Sequence, residues 1–360
     1  MRILKKAIYY KEISELMASQ GHLSVKSQVL EMVFLLIFRG VGPGYYLSAG
    51  LWDKNITWKQ KLGWRSQSDY RKRVYLYNPR PYQKISQNKV SEKALLSLFK
   101  IPTAEFYGFM HPVYGKDHKG HALRNGHDAL RVIEENNIDK FCIKELEGFS
   151  GRGFKALQVI RLEDGSLKIR PLNKDESFNL LDYFDSLNFP KDGLFFESYI
   201  EQHPVMAGLN RSSLNTIRVF VVWHHGEKIP KILGAFVRIG RDGSLVDNTS
   251  AGGLAAVIDL QSGQLKLAHY KPPHPERFTE HPDHGAKIKG EVIPFWDEVK
   301  NLLVEIMPVF PCTRFCGFDV AITVDGPKIV ELNVEPDKTG LMQIGVPIDY
   351  ALPKFKKSGY

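Results

Sequence analysis

The spacing of apolar residues changes character along the chain. Through residues 1–85 they recur at helical intervals between turns such as Gly42-Pro43-Gly44, which predicts a run of helices. Asn88–Lys100 continues in the same period and predicts a helix that stops before Ile101-Pro102. From Phe141 onward the period shortens. Phe141–Lys144 reads as a strand, and Phe154–Arg161 with Ser166–Arg170 flank Glu163-Asp164-Gly165, a hairpin signal. Leu194–Phe196, Thr216–Trp223 and Lys231–Ile239 read as further strands. Trp296–Met307 returns to helical spacing and ends at Pro308, and Phe315–Val324 and Pro327–Leu332 close a last hairpin about Asp325-Gly326. Strands with interspersed helices behind a helical start predict an α+β fold.

The most apolar stretch, Val29–Phe38, is broken by Glu31 and is shorter than the roughly 20 residues a membrane-spanning helix needs. A buried helix is the favoured reading of it, ahead of a helix lying on a membrane surface. Composition is that of a globular chain: 43% of the 360 residues are hydrophobic and 25% charged, enough apolar side chain for more than one lobe. Three cysteines are too few for a disulfide framework, and no cleavable signal pattern is evident, so a cytoplasmic protein with reduced thiols is expected. The charge is more telling. Residues 1–85 hold fifteen Lys or Arg against five acids, so the whole +9 excess lies in the first quarter, interleaved with Tyr9, Tyr10, Trp52, Trp58 and Trp64. Such a segment suits an anionic glycan or a membrane surface, or is simply a solvated helical face. No helix-turn-helix, zinc-finger or RNA-recognition signature accompanies it, so nucleic acid is not an expected partner.

Four pieces carry candidate chemistry. Lys144 ends a strand and is followed by Gly148, Ser150, Gly151 and Gly153, where backbone amides and an ammonium group suit phosphate oxygens. The loop is neither GxxxxGK[ST] nor GxGxxG, and a plain hairpin turn is the alternative. Asp319 lies on one strand of the last hairpin and Glu331 and Asn333 on the other. Alternation puts Glu331 and Asn333 on one face, and the turn folds Asp319 beside them, giving the hard oxygen donors that suit Mg²⁺. In Phe195-Phe196-Glu197-Ser198-Tyr199-Ile200-Glu201, two apolar residues and then an acid could flank a base and its ribose. Finally come Asn215, Arg218, Arg238 and the loop Asp247–Gly253. Arg218 shares a strand face with Thr216 and Phe220, placed either to stabilise a transferring phosphoryl group or to form a surface ion pair.

In this order the pieces resemble the ATP-grasp superfamily over roughly residues 85–345, the Asp…Glu-x-Asn hairpin being the most specific part. The strings LNTIRV, LGAFVRIGRDGSLVDN, AGGLAAVID and GFDVAITVDGPKIVELN look closest to its sugar-transfer-associated branch, typically tied to bacterial surface polysaccharides. The resemblance implies two α/β subdomains gripping ATP, at residues 86–205 and 206–360, behind a basic, mainly helical region at 1–85. It implies Lys89 and Lys144 on the α- and β-phosphates, with Ser150, Gly151 and Gly153 in a lid over them. It also implies Glu197 with the backbone of Tyr199 and Ile200 at adenine, and Glu201 at ribose. Asp319, Glu331 and Asn333 would hold one or two Mg²⁺, with Arg218, Arg238 and Asn248 near the transferring phosphate. Glu145 stands after Lys144 where relatives commonly carry proline. The implied reaction joins a carboxylated sugar or anionic glycan precursor to an amino acid or other amine, through an acyl phosphate. Phosphoryl transfer without amide formation and a non-catalytic nucleotide- or glycan-binding role are the alternatives. The prolines among His269, His274, His281 and His284 predict an extended surface loop rather than a zinc site, one that could reach over the acceptor. Cys142, Cys312 and Cys316 are expected to be packing residues.

Overall fold

Alternating β-branched and aromatic residues dominate the chain beyond residue 100, and they assemble into two antiparallel sheets. The computed structural model describes residues 2–148 and 153–354. Its helical start comprises α1 (Arg2–Ser19), α2 (Val25–Arg39), α3 (Pro43–Ser48), α4 (Trp58–Leu62), α5 (Gln67–Tyr77), α6 (Arg80–Gln87) and α7 (Lys89–Leu98). The first sheet contains β1 (Phe106–Met110), β2 (Lys116–Asp117), β3 (Lys140–Glu145), β4 (Lys155–Arg161), β5 (Leu167–Pro171), β6 (Phe178–Asn179) and β7 (Leu194–Ser198). Their spatial order is β2-β1-β7-β3-β4-β5-β6. The second contains β8 (Ile217–Val222), β9 (Lys231–Ile239), β10 (Leu254–Ile258), β11 (Leu265–His269), β12 (Arg277–Phe278), β13 (Phe315–Thr323) and β14 (Gly326–Asn333), in the order β12-β11-β10-β9-β8-β13-β14. The later helices are α8 (Gly126–Glu135), α9 (Leu180–Asp185), α10 (Pro204–Leu209), α11 (Trp296–Ile306), α12 (Lys338–Gln343) and α13 (Ile348–Ala351). Both predicted hairpins form, β4 with β5 and β13 with β14, and the α+β class holds.

Period-two alternation decides what each sheet face does. In the first sheet Phe141, Ile143, Leu157 and Phe196 are buried with Val132, Ile133 and Phe184 of α8 and α9. The opposite side chains, Cys142, Lys144, Ala156 and Glu197, are left to line a cleft. In the second sheet Ile217, Val219, Val221, Val237, Phe318 and Val320 pack on Trp296, Val299, Leu303 and Ile306 of α11. Its other face is divided. Phe220, Val222, Phe236 and Phe315 are buried against Leu35, Tyr46, Tyr70 and Val74 from the N-terminal helices, whereas Arg218, Arg238 and Asp319 occupy the same face further along.

The N-terminal helices are therefore fixed to the sheet that carries the charged residues. Asn78, buried at the end of α5, makes the tightest link. Its amide donates to the carbonyls of Phe315 (2.5 Å) and Val334 (2.6 Å), and its oxygen accepts from the amides of Arg314 (2.8 Å) and Phe315 (3.0 Å). Tyr70 adds a hydrogen bond to the carbonyl of Pro336 (2.6 Å).

The favoured reading of Val29–Phe38 as a buried helix is corrected. Gln28, Met32 and Leu35 of α2 are buried, while Leu30, Ile37 and Phe38 are 63%, 70% and 64% exposed. The helix is apolar on more than the one face that its partners cover. Among the described residues no helix is long and apolar enough to cross a membrane.

Asn78→Ala leaves several buried backbone groups without partners, each costing about 1–3 kcal/mol. A loss of about 2–4 kcal/mol in equilibrium denaturation is expected; an unchanged midpoint would show that the link adds nothing.

Candidate active site

The free face of the first sheet and the charged end of the second enclose one cleft with two unlike ends. The apolar end is lined by Cys142, Ala156, Tyr199, Ile200, Leu214 and Val330, with Lys144 and Glu197 at its border. The polar end, a cavity of about 150 Å³, is lined by Lys89, Lys144, Gly148, Thr216, Arg238, Asp247, Asn248, Asp319 and Glu331. Lys144, Phe154, Leu214, Leu245 and Val330 border both. An apolar end joined to a strongly charged one matches the polarity of a nucleotide, although at about 30 Å³ the apolar end is narrower than a base.

On the first sheet, Cys142 is the register partner of Glu197, so Lys144 falls two residues along on the same face. Lys144 and Glu197 form a close ion pair, and Lys93 approaches the other Glu197 oxygen at 3.0 Å. Burial would raise the pKa of Glu197, but the charges of Lys144 and Lys93 reverse this and hold it down at about 2. Lys144 is shifted the other way: burial lowers its pKa, and the facing Glu197 charge more than restores it. Two ammonium groups against one carboxylate leave this wall with a surplus of positive charge. Lys93 was missed in the sequence, although it lies one helical turn beyond Lys89 on α7, a helix capped by Asn88 accepting from the Ser91 amide (3.1 Å). Lys89 donates to the carbonyl of Gly148 (3.2 Å) at the base of the glycine-rich loop, and burial lowers its pKa.

Glu145 packs under both ends of that loop. A Cβ on Gly148 would lie 2.7 Å from the Glu145 Cβ, and one on Gly153 would lie 2.9 Å from its Cγ. Gly153 is also left-handed (φ 69°), so no other residue fits there without strain. Ser150 and Gly151 lie outside the described residues.

On the second sheet, register places Arg218 opposite Asp319 and Asp319 opposite Glu331, so three strands present a row of charges. Arg218 holds Asp319 through two bonds, one of them at 3.0 Å, and Arg238 adds a third at 2.8 Å. Burial would raise the pKa of Asp319, but the two guanidinium groups offset it and hold the carboxyl below its ordinary value. Arg238 also donates to the Thr216 hydroxyl (3.0 Å from Nε), which donates in turn to Asp247 (2.5 Å). Burial raises the Asp247 carboxyl in spite of the Arg238 charge.

Asp319 and Glu331 stand within hydrogen-bonding reach of one another, and Asn333 donates to Glu331 (3.3 Å). Two carboxylates that close repel one another, and Arg218 and Arg238 supply countercharge on the Asp319 side. With the Asn333 amide beside them, this donor set fits Mg²⁺. Among the described residues no group of three His, Cys, Asp or Glu is placed to hold a metal ion, so a cation here needs the amide or phosphate oxygens as well.

The remaining sequence candidates separate. Tyr199 and Ile200 line the apolar end, with burial pushing the Tyr199 phenol up to about 12. Glu201 is exposed, pairs with Lys140 at 2.5 Å and lines neither end. Asn248 lines the polar end while its side chain accepts from the Ser250 amide (2.9 Å), fixing the turn after Asp247. Asn215 is a buried scaffold residue, donating to the carbonyls of Met206 (2.9 Å) and Asn210 (2.7 Å). The histidine- and proline-rich loop meets the Asn248 turn through Lys271, which donates to Ser250 (3.1 Å), and His281 bonds the Gly240 carbonyl (2.9 Å). Cys142 and Cys316 are buried, and burial raises both thiols, Cys142 to about 12.

A cleft between two antiparallel sheets, apolar at one end and charged at the other, is what an ATP-grasp protein presents. The chain belongs to the sugar-transfer-associated ATP-grasp family, whose sequence model matches residues 66–348. No protein of curated function matches it in sequence. Among solved structures it is similar to carboxyaminoimidazole ribonucleotide synthase from Aspergillus clavatus complexed with ATP, at 13% identity and a TM-score of 0.44, over 76% of this chain and 54% of that one. It is also similar to the L-amino acid ligase of Bacillus licheniformis (8% identity, TM-score 0.38, 72% and 43% covered). A third is the D-alanine–D-alanine ligase of Coxiella burnetii (11%, 0.35, 69% and 48%). The match spans about half the length of these structures.

Glu197→Gln would leave Lys93 and Lys144 buried without their anion, a loss of about 3–5 kcal/mol at neutral pH. Because the folded pKa of Glu197 is depressed, its contribution is present above the unfolded value of 4.5 and is lost as pH falls toward about 2. Acid denaturation curves of the wild type should show that loss, and those of the variant should lack Glu197's share of the slope.

Proposed function

We propose that the protein is an ATP-dependent carboxylate–amine ligase that attaches an amino acid or other amine to a uronic-acid-type sugar destined for a surface polysaccharide. The observation that carries this reading is the polar end of the cleft, where Lys89, Lys144 and Arg238 line the cavity with the facing carboxylates of Asp319 and Glu331, and Arg218 pairs with Asp319 outside that lining. Family membership supports ATP as the nucleotide, and the name of the family supports a sugar acceptor. ATP places the reaction in the cytoplasm.

In this reading the base enters the apolar end beside Tyr199 and Ile200, and Lys144 and Lys89 bind the α- and β-phosphates. Asp319, Glu331 and Asn333 would hold Mg²⁺, which when bound neutralises charge on the phosphate oxygens. A substrate carboxylate attacks the γ-phosphorus, the bond to the β-phosphate oxygen breaks, and an acyl phosphate and ADP result. An amine then attacks the acyl carbon, phosphate leaves, and the amine gives up a proton. Arg218 and Arg238 stabilise charge on the phosphoryl group as it moves. Asp319 pairs with both guanidinium groups and so fixes their orientation. The glycine-rich loop excludes water that would hydrolyse the acyl phosphate.

The test is phosphate release by the purified full chain with ATP, Mg²⁺ and a panel of uronic acids, with and without amino acids, products being read by mass spectrometry. A product heavier than the acid by the amine less water, formed with ADP, is expected. A phosphorylated product formed without amine would overturn amide formation in favour of phosphoryl transfer. Glu331→Gln should cut turnover by about 100-fold or more with an unchanged melting temperature. Lys144→Ala should raise the KM for ATP or stop turnover.

A further inference from the structure

We infer that the outer face of α2, with Trp58, is a docking surface for an anionic phospholipid membrane. Gln28, Met32 and Leu35 bind this helix to the rest of the protein, and Gln28 donates to the Ser14 carbonyl (3.0 Å), so α1 folds back along α2. On the 3.6-residue period, residues 30, 33, 34 and 37 fall on the side away from those contacts. There Leu30, Val33, Phe34, Ile37 and Phe38 are all exposed. The Phe34 and Phe38 rings lie tilted with centroids 4.6 Å apart, and exposed Trp58 meets Phe34 edge to face at 5.6 Å, so the patch continues from α2 onto α4. A contiguous apolar surface of this kind marks an interaction site rather than a solvated face.

The charge around the patch selects the occupant. Exposed Lys26 opens α2, exposed Lys59 follows Trp58, and Lys5, Lys6 and Lys11 are exposed on α1, against only Glu12 and Glu15 exposed there. Glu31, the one acid of α2, is turned inward and held by buried Lys61 (2.8 Å) and the Tyr46 hydroxyl (2.7 Å). Exposed apolar side chains on helices whose other exposed groups are mostly lysines, with Trp58 beside them, match acyl chains beneath acidic headgroups. A second copy of this chain is disfavoured, because a two-fold interface would bring one lysine-rich surface against another. The 15-residue helix, at 1.5 Å per residue, is too short to span a bilayer and would lie along its surface.

The experiment is co-sedimentation of the full chain with vesicles of phosphatidylcholine alone and of phosphatidylcholine mixed with phosphatidylglycerol. Binding is expected only to the mixed vesicles, weakening as salt is raised. Ile37→Glu with Phe38→Glu should lower it at least about tenfold, since two apolar side chains lose their burial in lipid. Lys5→Glu with Lys26→Glu should also lower it. An unchanged melting temperature separates lost docking from lost folding, and these exposed residues should give one. No binding to the mixed vesicles, or equal binding by the Ile37/Phe38 variant, overturns the proposal. So does a dimer in light scattering that the same variant converts to monomer, which would assign the patch to a second copy. None of these outcomes depends on turnover, so failure here is distinct from failure of the ligase reading.

Discussion

A carboxylate taken out of water must be paired, and Asp319 is the place where this protein meets that requirement most tightly. It is 1% exposed, lies in the middle strand of a three-strand row, and is bound by guanidinium groups from β8 and β9. Satisfying it fixes the register of three neighbouring strands at once, because a one-residue slip would put Arg218 into the apolar face beside Val219. Arg218 and Arg238 are oriented by the same contact. The cleft inherits its geometry from a demand that is first of all a folding demand.

Much of this was legible in the sequence, for a physical reason. Alternation along Thr216–Trp223 and the Asp325-Gly326 turn are strong signals, so the face carrying Arg218 and the return of Asp319 beside the strand of Glu331 were legible, whereas the irregularity beside Val320 that sets Asp319 opposite Glu331 rather than Val330 was not. The partners of each charge were not legible. Glu197 reads as a base-binding residue by its place after Phe195-Phe196, yet the fold also makes it the counter-ion of Lys144 and Lys93, which come from a strand and a helix far apart in sequence. Tertiary pairing of this kind leaves no periodic trace. Val29–Phe38 shows the opposite failure: hydrophobicity predicts burial, whereas the number of partners available decides how much of a helix is covered.

The N-terminal helices and the cleft belong to one mechanical unit. Asn78 and Tyr70 tie α5 to the ends of β13 and β14, the strands that carry Asp319, Glu331 and Asn333. Anything that orients the helices therefore orients the hairpin of Asp319, Glu331 and Asn333 with them.

The apolar end of the cleft has a consequence for kinetics. Its volume of about 30 Å³ holds a water or two, far less than a purine. If the base enters this end, as proposed, Phe154 and Leu245 must part first, and nucleotide capture then requires an opening. The apparent affinity is then the intrinsic one scaled by the fraction of time the walls stand apart. On that reading the stiffness of the cleft walls joins diffusion in setting how fast a nucleotide is taken up.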